Sequence, residues 1–97
     1  MRKIVFLDPA TDEMHEAVQY YEHQTKGLGF AFLQEIQHTI DQILDHPLLG
    51  ELMSESVRRR LVRRFPFGVL YSVDPEAIVI VAVMHLRQKL GYWTGRV

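Results

Sequence analysis

The chain has 97 residues with a formal net charge of −1, and 47% of them are hydrophobic, which allows one domain with a single core but excludes two. Its lack of cysteine excludes a disulfide framework, a thiolate metal site and a thiol nucleophile. The apolar stretches near the start and from Ala77 to Met84 are too short for a signal peptide or a membrane span, so we expect one domain over residues 1–97.

The first half of the chain predicts a strand followed by two helices. Residues 3–7 are rich in β-branched and aromatic side chains, as in a strand. Apolar residues at helical spacing predict an amphipathic helix over residues 10–24. After a turn at residues 26–29, a second helix is expected to run to about Asp45, where a His-Pro pair ends it. Two apolar stripes joined by a short turn predict an antiparallel helical hairpin.

The second half predicts three strands, over residues 57–64, 67–73 and 77–85. The last of them is apolar on both faces, which is typical of a central strand covered on both sides. Residues 86–97 are compatible with a last strand turn, a short helix or a partly ordered tail. We expect an α+β, two-layer fold of order β-α-α-β-β-β, in which the N-terminal strand and the antiparallel helical hairpin pack on one face of a mainly antiparallel four-stranded sheet.

Charge is distributed unevenly along the chain. Residues 1–48 contain three Lys or Arg and eight Asp or Glu, a net of −5, whereas residues 49–97 contain eight and four, a net of +4. Five arginines fall within the seven positions 58–64. Because like charges this close repel one another, the cluster suggests a polyanionic partner, or an acidic protein that covers it.

The clustered arginines are expected to alternate between the two faces of a strand. Arg58, Arg60 and Arg64 would share one face, which we expect to point away from the helices. Arg59 and Arg63 would lie on the core-facing side, near the edge of the sheet. A row of guanidinium groups suits phosphates or carboxylates, which arginine binds through two hydrogen bonds. The alternative is a charged edge strand that prevents edge-to-edge aggregation.

His85 and the aromatic tail are the other candidates. His85 and Arg87 come at the end of the apolar strand, where His85 can act as a general acid or base or simply bond to backbone within the sheet. Tyr92, Trp93 and Arg96 can stack on bases and contact phosphate, or Trp93 can cover the sheet end and anchor the tail. The remaining histidines lack the spacing of a zinc site, and no Gly-rich phosphate loop occurs. We therefore expect no metal or cofactor.

Three segments of the chain resemble one group of bacterial toxins. They are R-R-L-V-R-R-F-P-F-G-V-L-Y (residues 59–71), the apolar strand that ends in His85, and R-Q-K-L-G-Y-W-T-G-R (residues 87–96). Their order and spacing resemble the RelE/ParE superfamily, the toxin halves of type II toxin–antitoxin modules, often labelled plasmid stabilisation proteins. The resemblance covers essentially the whole chain. Its most specific elements are Arg64-Phe65-Pro66, Tyr71, His85, Trp93 and Arg96.

The resemblance points more to the ParE side of the superfamily than to the RelE side. RelE-like members are ribosome-dependent ribonucleases that cleave mRNA with Lys, Arg and Tyr side chains, whereas ParE-like members generally lack that set and poison DNA gyrase. Lys89 is the only lysine in the basic half of this chain, and the Phe-Pro corner and the His…Trp…Arg tail look more like ParE. The chain departs from the superfamily pattern where Phe67, Gln88 and Leu90 replace a common tyrosine, arginine and proline.

The resemblance implies a growth-inhibiting toxin that binds a cellular target, DNA gyrase, and is neutralised by a cognate antitoxin. One alternative is a RelE-like ribosome-dependent mRNA endoribonuclease, the only enzymatic hypothesis, with His85, Arg64, Arg87 and Tyr92 as its catalytic residues. Another is a non-toxic module of the same fold that binds nucleic acid or protein. The candidate target-binding or anion-binding residues are Arg58, Arg60, Arg64, Arg87 and Arg96.

The expected partners follow from the same resemblance. An acidic or amphipathic antitoxin segment would dock beside the helical hairpin, as a helix in a groove or as an added strand, and would cover the arginines. A homodimer and a hetero-oligomer with the antitoxin are both compatible with the sequence. We expect the protein to act in the cytoplasm, without membrane contact.

Overall fold

The computed structural model describes residues 2–97, which form two helices and a single sheet. No helix in this part of the chain is long and apolar enough to cross a membrane. The elements are β1 (Lys3–Phe6), α1 (Asp8–Gln24), α2 (Leu28–Asp45), β2 (Glu51–Leu52), β3 (Arg58–Leu61), β4 (Phe67–Val73), β5 (Ala77–His85) and a short 3-10 helix (Thr94–Arg96).

The sheet has the strand order β1-β5-β4-β3-β2. β1 pairs with β5 in parallel, and the other neighbours are antiparallel. The predicted α+β class and the order of the main elements are confirmed. The sheet has five strands rather than four, because the two-residue β2 adds to one edge. The N-terminal strand β1 forms the opposite edge of the sheet.

A glycine turn and a glutamate cap close the helical hairpin. Gly27 has φ +88°, in the left-handed region that glycine enters without steric cost. The Glu22 carboxylate accepts hydrogen bonds from the N–H groups of Gly27 (3.0 and 3.1 Å) and Gly29 (3.0 Å), so it satisfies donors that the start of α2 leaves unpaired. Gly29 also lets the helices approach closely, since a Cβ there would lie 2.7 Å from the Val18 carbonyl oxygen.

The main core lies between the hairpin and one face of the sheet. α2 contributes a buried stripe at helical spacing, and β4 and β5 contribute alternate residues that face it. Burying one large apolar side chain contributes roughly 1.5–3 kcal/mol, so this layer supplies most of the driving force for folding. The buried residues of the layer include Phe32, Ile36, Ile40, Ile43, Val69, Tyr71, Ile78 and Ile80.

A second, smaller apolar cluster covers the other face of the sheet. It joins Leu70 and Met84 of the sheet to Trp93 of the tail, which is only 3% exposed. The tail therefore folds back over the sheet and ends in a short helix, one of the three forms that the sequence allowed. Trp93 covers the sheet and anchors the tail, and its buried ring is not available for stacking on bases. Both faces of β5 are covered, as its apolar sequence predicted.

The arginine strand is shorter than the sequence predicted. β3 covers Arg58–Leu61 rather than residues 57–64, because the chain bends before Arg64, whose φ is +71°. Arg63 and Arg64 therefore lie in the connection between β3 and β4. We call residues 63–66, with the sequence Arg-Arg-Phe-Pro, the arginine corner.

The two faces of the arginine strand are the reverse of the prediction. Arg58 pairs with Tyr71 and Arg60 pairs with Val69, and directly paired residues share one face of a sheet. Because Tyr71 and Val69 belong to the main core, Arg58 and Arg60 lie on the helix side. The prediction that they point away from the helices is wrong. Val57 is buried in the second apolar cluster, so alternation alone could not identify which face carries the helices.

Candidate functional site

The arginine corner and the end of β5 lie side by side at one end of the sheet. Phe67, the first residue of β4, pairs with His85, the last residue of β5. The next backbone N–H after His85 donates a 2.9 Å hydrogen bond to the proline carbonyl of the corner. Strand pairing thus brings three of the four residues considered for catalysis to the same end. We call these three residues together with Arg63 the basic end; its members are Arg63, Arg64, His85 and Arg87.

The backbone of the arginine corner is strained but well supported. Arg64 is the only non-glycine residue with positive φ within residues 2–97, and that conformation costs such a residue roughly 1–2 kcal/mol. The ring of Phe65 packs against Tyr21 and Phe32 at centroid distances of 4.8 and 5.2 Å, which ties the corner to both helices. The guanidinium groups project outward, with the side chains of Arg63 and Arg64 72% and 58% exposed.

The contacts of His85 favour one orientation of its ring and one neutral tautomer. Its ring packs edge-on against Phe67 at a centroid distance of 5.1 Å, and its Nδ1 accepts a 3.0 Å hydrogen bond from the Arg87 backbone N–H. A neutral imidazole that accepts at Nδ1 carries its proton on Nε2. His85 therefore offers a hydrogen-bond donor at Nε2, which suits the binding of an oxygen atom better than the removal of a proton.

A groove of about 400 Å³ lies between α1 and the end of β5. This volume falls in the lower part of the range of small-ligand pockets, about 300–1,000 Å³, and is large enough for one bulky side chain of a partner. Most of its lining surface is apolar, and polar and aromatic side chains contribute the rest. It is lined by Glu13, Glu16, Ala17, Tyr20, Phe67, Val83, His85, Gln88 and Tyr92.

Glu13, which lines this groove, joins the first helix to the tail. Its carboxylate accepts hydrogen bonds from Arg96 Nη1 (2.9 Å) and Nη2 (3.0 Å), from the Tyr92 hydroxyl (2.6 Å) and from the Val83 N–H (3.0 Å). The Arg96 guanidinium also donates to the Val81 carbonyl at 3.1 Å and lies 4.9 Å from the centre of the Tyr92 ring. We call Glu13, Tyr92 and Arg96 the Glu13 cluster.

The Glu13 cluster limits the roles that Tyr92 and Arg96 can have. Burial, and then the hydrogen bond to Glu13, raise the pKa of Tyr92. Tyr92 therefore keeps its proton, and its hydroxyl donates a hydrogen bond to the Glu13 carboxylate. The same carboxylate raises the pKa of Arg96. An external anion would have to compete with Glu13 for the Arg96 guanidinium. In this structure Arg96 anchors the tail, and Tyr92 is not placed to accept a proton.

The arginines of β3 differ in how far they are engaged. Arg58 Nη1 donates to the carbonyls of Leu48 (2.9 Å) and Gly50 (2.8 Å), and Arg59 forms a 2.7 Å ion pair with Glu51. Both therefore hold the loop before β3 in place. Within residues 2–97 the half-buried Arg60 side chain has no hydrogen bond or ion pair. Of the three, only Arg60 has an uncommitted guanidinium.

A second glutamate, Glu35 on α2, lies beneath the arginine corner. Its carboxylate is 3.6 Å from Arg63 Nε and 4.0 Å from Arg64 Nη1, distances that allow ion pairing but exceed a hydrogen bond. Its Oε1 is buried without a hydrogen-bond partner in the described part of the chain. The corner thus has a buried counter-charge that is close to its arginines but not bonded to them.

Sequence reasoning missed both glutamates, although the pattern contained a signal. Glu13 lies between the buried Ala10 and Ala17 on α1, and Glu35 lies beside the buried Ile36 on α2. A glutamate on the buried stripe of a helix needs a hydrogen-bonding or cationic partner. The positions of Glu13 and Glu35 among the apolar residues of each helix were enough to predict that both have such a partner. Within residues 2–97 there is no group of three metal-ligating acids or histidines.

Comparison with known proteins identifies the family. The family described as the ParE toxin of type II toxin–antitoxin system, parDE, matches residues 4–90. The chain belongs to the ParE toxin family. A solved structure, the chromosomal ParDE toxin–antitoxin system from P. aeruginosa, is similar with a TM-score of 0.66 at 15% identity, covering 90% of this chain and 98% of that chain. No curated protein sequence matches at a significant level.

The family match confirms the resemblance read from the corner, the apolar strand and the tail. It assigns the chain to the toxins of type II toxin–antitoxin systems, on the ParE side of the superfamily. At 15% identity the P. aeruginosa structure shows the fold alone. The matched range contains the whole basic end and Glu13, whereas Tyr92 and Arg96 lie beyond it. The tail anchor therefore rests on the geometry of this ParE toxin and not on the family match.

Proposed function

We propose that this ParE toxin inhibits growth in the cytoplasm by binding DNA gyrase, and that a cognate antitoxin neutralises it. The observation that carries the proposal is the basic end, in which Arg63 and Arg64 project from a rigid corner beside His85 and Arg87. This arrangement favours binding over catalysis, since His85 Nδ1 already accepts a backbone hydrogen bond and the other three members are arginines. A surface of this kind suits carboxylates or phosphates on a macromolecular target.

The antitoxin contact is proposed for the same side of the molecule. The groove between α1 and β5 has the size and the mostly apolar lining to receive a bulky residue of an amphipathic helix. An added strand can instead pair with the exposed edge at β1 or at the short β2. Either mode would lead an acidic segment over the basic end and produce a hetero-oligomer of toxin and antitoxin.

The proposal is tested first in cells and then with purified components. Induced expression should arrest growth, and co-expression of the protein encoded next to the toxin should relieve the arrest. Purified toxin should inhibit gyrase supercoiling in vitro without degrading translated mRNA. The double variant Arg64→Gly, Arg87→Ala should weaken gyrase inhibition at least tenfold, because it removes two exposed cations from the contact surface.

A control variant shows whether the loss of a positive charge elsewhere on the surface has a similar effect. Lys3→Ala removes an exposed lysine at the start of β1, which pairs with Ala77 at the end of β5 far from His85. It should leave gyrase inhibition within about twofold of the wild-type protein, as expected for a surface residue outside the contact. Gyrase that keeps full activity at a large excess of toxin would overturn the proposal.

A ribosome-dependent ribonuclease is the second candidate, because Arg64, His85 and Arg87 share one end of the sheet and Tyr92 lines the adjoining groove. This activity requires cleaved transcripts in a translating extract, slowed at least tenfold by His85→Ala. Two hydrogen bonds argue against the ribonuclease. His85 Nδ1 accepts one and the Tyr92 hydroxyl donates the other, so the two groups that would transfer protons are already engaged within the protein. Intact transcripts at high toxin concentration would eliminate it. A protein without any growth effect would instead support the non-toxic binding module.

A further inference from the structure

The arginine corner covers a buried carboxylate that no hydrogen bond satisfies. Glu35 is 8% exposed and lies on the core-facing stripe of α2. Its Oε1 has no hydrogen-bond partner within residues 2–97. An ionised carboxylate in such a position is unfavourable unless cations compensate its charge. The only cations within ion-pair distance of it in the described chain are Arg63 and Arg64.

The pairing of Glu35 is open, unlike that of Glu13. Glu13 and Arg96 meet through two hydrogen bonds of 2.9 and 3.0 Å, whereas the contacts of Glu35 are 3.6 and 4.0 Å long. Guanidinium groups that bind a carboxylate directly do so at about 2.7–2.9 Å. Arg63 and Arg64 are therefore attracted to Glu35 but retain their hydrogen-bond donors for another acceptor.

We propose that Arg63 and Arg64 form a binding site for the carboxylates of an acidic protein segment, and that Glu35 is an internal competitor which lowers the affinity of this site. The inference rests on the proposed function, because the segment would belong to the antitoxin. On binding, the guanidinium groups form direct hydrogen bonds to the partner carboxylate and move away from Glu35. This movement leaves the Glu35 carboxylate without nearby cations, and the resulting free-energy cost opposes binding.

An acidic protein fits the corner better than a nucleic acid does. The chain has an isoelectric point near 6.5, whereas domains that bind nucleic acids through a basic face commonly exceed about 9. α1, which lines the groove beside the basic end, carries five acidic residues and no lysine or arginine. An extended polyphosphate carries a charge at every nucleotide and would be repelled as it passed this helix, whereas a protein segment can confine its acidic residues to the stretch that meets the two arginines.

The test uses the full-length protein and two labelled probes, a ten-residue oligoglutamate peptide and a ten-nucleotide oligothymidylate, at about 0.1 M ionic strength, where the Debye length is about 10 Å. Glu35→Gln should bind oligoglutamate about three- to tenfold more tightly than the wild-type protein, the effect expected for one carboxylate acting on two partly exposed arginines. Adding Arg63→Ala and Arg64→Gly to Glu35→Gln should abolish the gain. Denaturant unfolding of each variant verifies that it is folded.

The control is Glu76→Gln, which makes the same change in net charge in the exposed turn between β4 and β5, at the far end of β5 from His85. It should change oligoglutamate affinity by less than about twofold, as expected for a screened distant charge. The proposal is wrong if Glu35→Gln increases the affinity for oligoglutamate no more than Glu76→Gln does. It is also wrong if the wild-type protein binds oligothymidylate more tightly than oligoglutamate. Because neither gyrase nor antitoxin is present in this assay, its result is independent of the supercoiling test.

Discussion

Replacing Glu13 by alanine should lower the free energy of unfolding by about 2–4 kcal/mol, because the substitution leaves several buried donors without a partner. Four hydrogen bonds converge on this carboxylate, from Arg96, Tyr92 and the Val83 N–H. Breaking a fully buried ion pair costs roughly 3–5 kcal/mol. The lower range applies here, since the side chains of Arg96 and Glu13 are 19% and 21% exposed.

The expected loss is large for a domain of this size but should not abolish folding. Domains of about 100 residues have unfolding free energies of roughly 5–15 kcal/mol. At about 4–8 °C per kcal/mol, the melting temperature should fall by roughly 8–32 °C. The control is Glu16→Ala, on the same helix and exposed, with no hydrogen bond or ion pair of its side chain within residues 2–97. It should change the unfolding free energy by no more than about 0.5 kcal/mol.

Urea unfolding followed by two signals gives the measurement. The protein contains one tryptophan, Trp93, so its fluorescence reports the attachment of the tail, while circular dichroism reports the helices. A double-mutant cycle of Glu13→Ala with Arg96→Ala should show a coupling energy of at least about 1 kcal/mol. The reasoning would be refuted if Glu13→Ala were no more destabilising than Glu16→Ala, or if the coupling energy were zero.

Three further results are expected from the same contacts. Burial raises the pKa of Tyr92 above its unfolded value of about 10. The folded state therefore favours the protonated phenol, and this contribution to the unfolding free energy is lost as pH rises above about 10. Tyr92→Phe should flatten this alkaline decline in unfolding free energy. Arg64→Gly should leave the unfolding free energy within about 0.5–1 kcal/mol of wild type, whereas Arg64→Val should cost more than 1 kcal/mol, because φ is +71°. Gly50→Ala should cost about 1–3 kcal/mol, since its Cβ would lie 2.3 Å from the Tyr71 hydroxyl; Gly95→Ala, which meets nothing within 4 Å, is the control in the same denaturation assay.

The order of elements could be predicted from the sequence because its signals are local. Proline and glycine mark the ends of the helices, and helical spacing of apolar residues marks their buried stripes. The predicted limits of β4 and β5, residues 67–73 and 77–85, agree with the structure. The apolar run of β5 correctly indicated a strand covered on both sides. Each of these inferences depends on residues within one element.

The arrangement of the arginines could not be predicted, since it depends on contacts between distant segments. Apolar residues occur on both sides of β3, because the tail covers the far face of the sheet with Trp93. The sequence therefore left the helix side of the strand undetermined. Arg96 and its partner Glu13 are 83 positions apart, and no local pattern connects them. A basic residue in a sequence is a candidate for binding only until its internal partners are known.

The internal partners also determine which arginines can contribute to binding at a small cost. A target that recruits Arg96 must first break the Glu13 cluster, which we estimate at about 2–4 kcal/mol. A partner that recruits Arg63 gives up only a partly exposed ion pair, which contributes about 0–1 kcal/mol. The difference corresponds to at least about a fivefold change in affinity. We therefore expect alanine scanning of the arginines to show its largest effects on partner binding at the arginine corner, whereas Arg58→Ala and Arg96→Ala should mainly reduce stability.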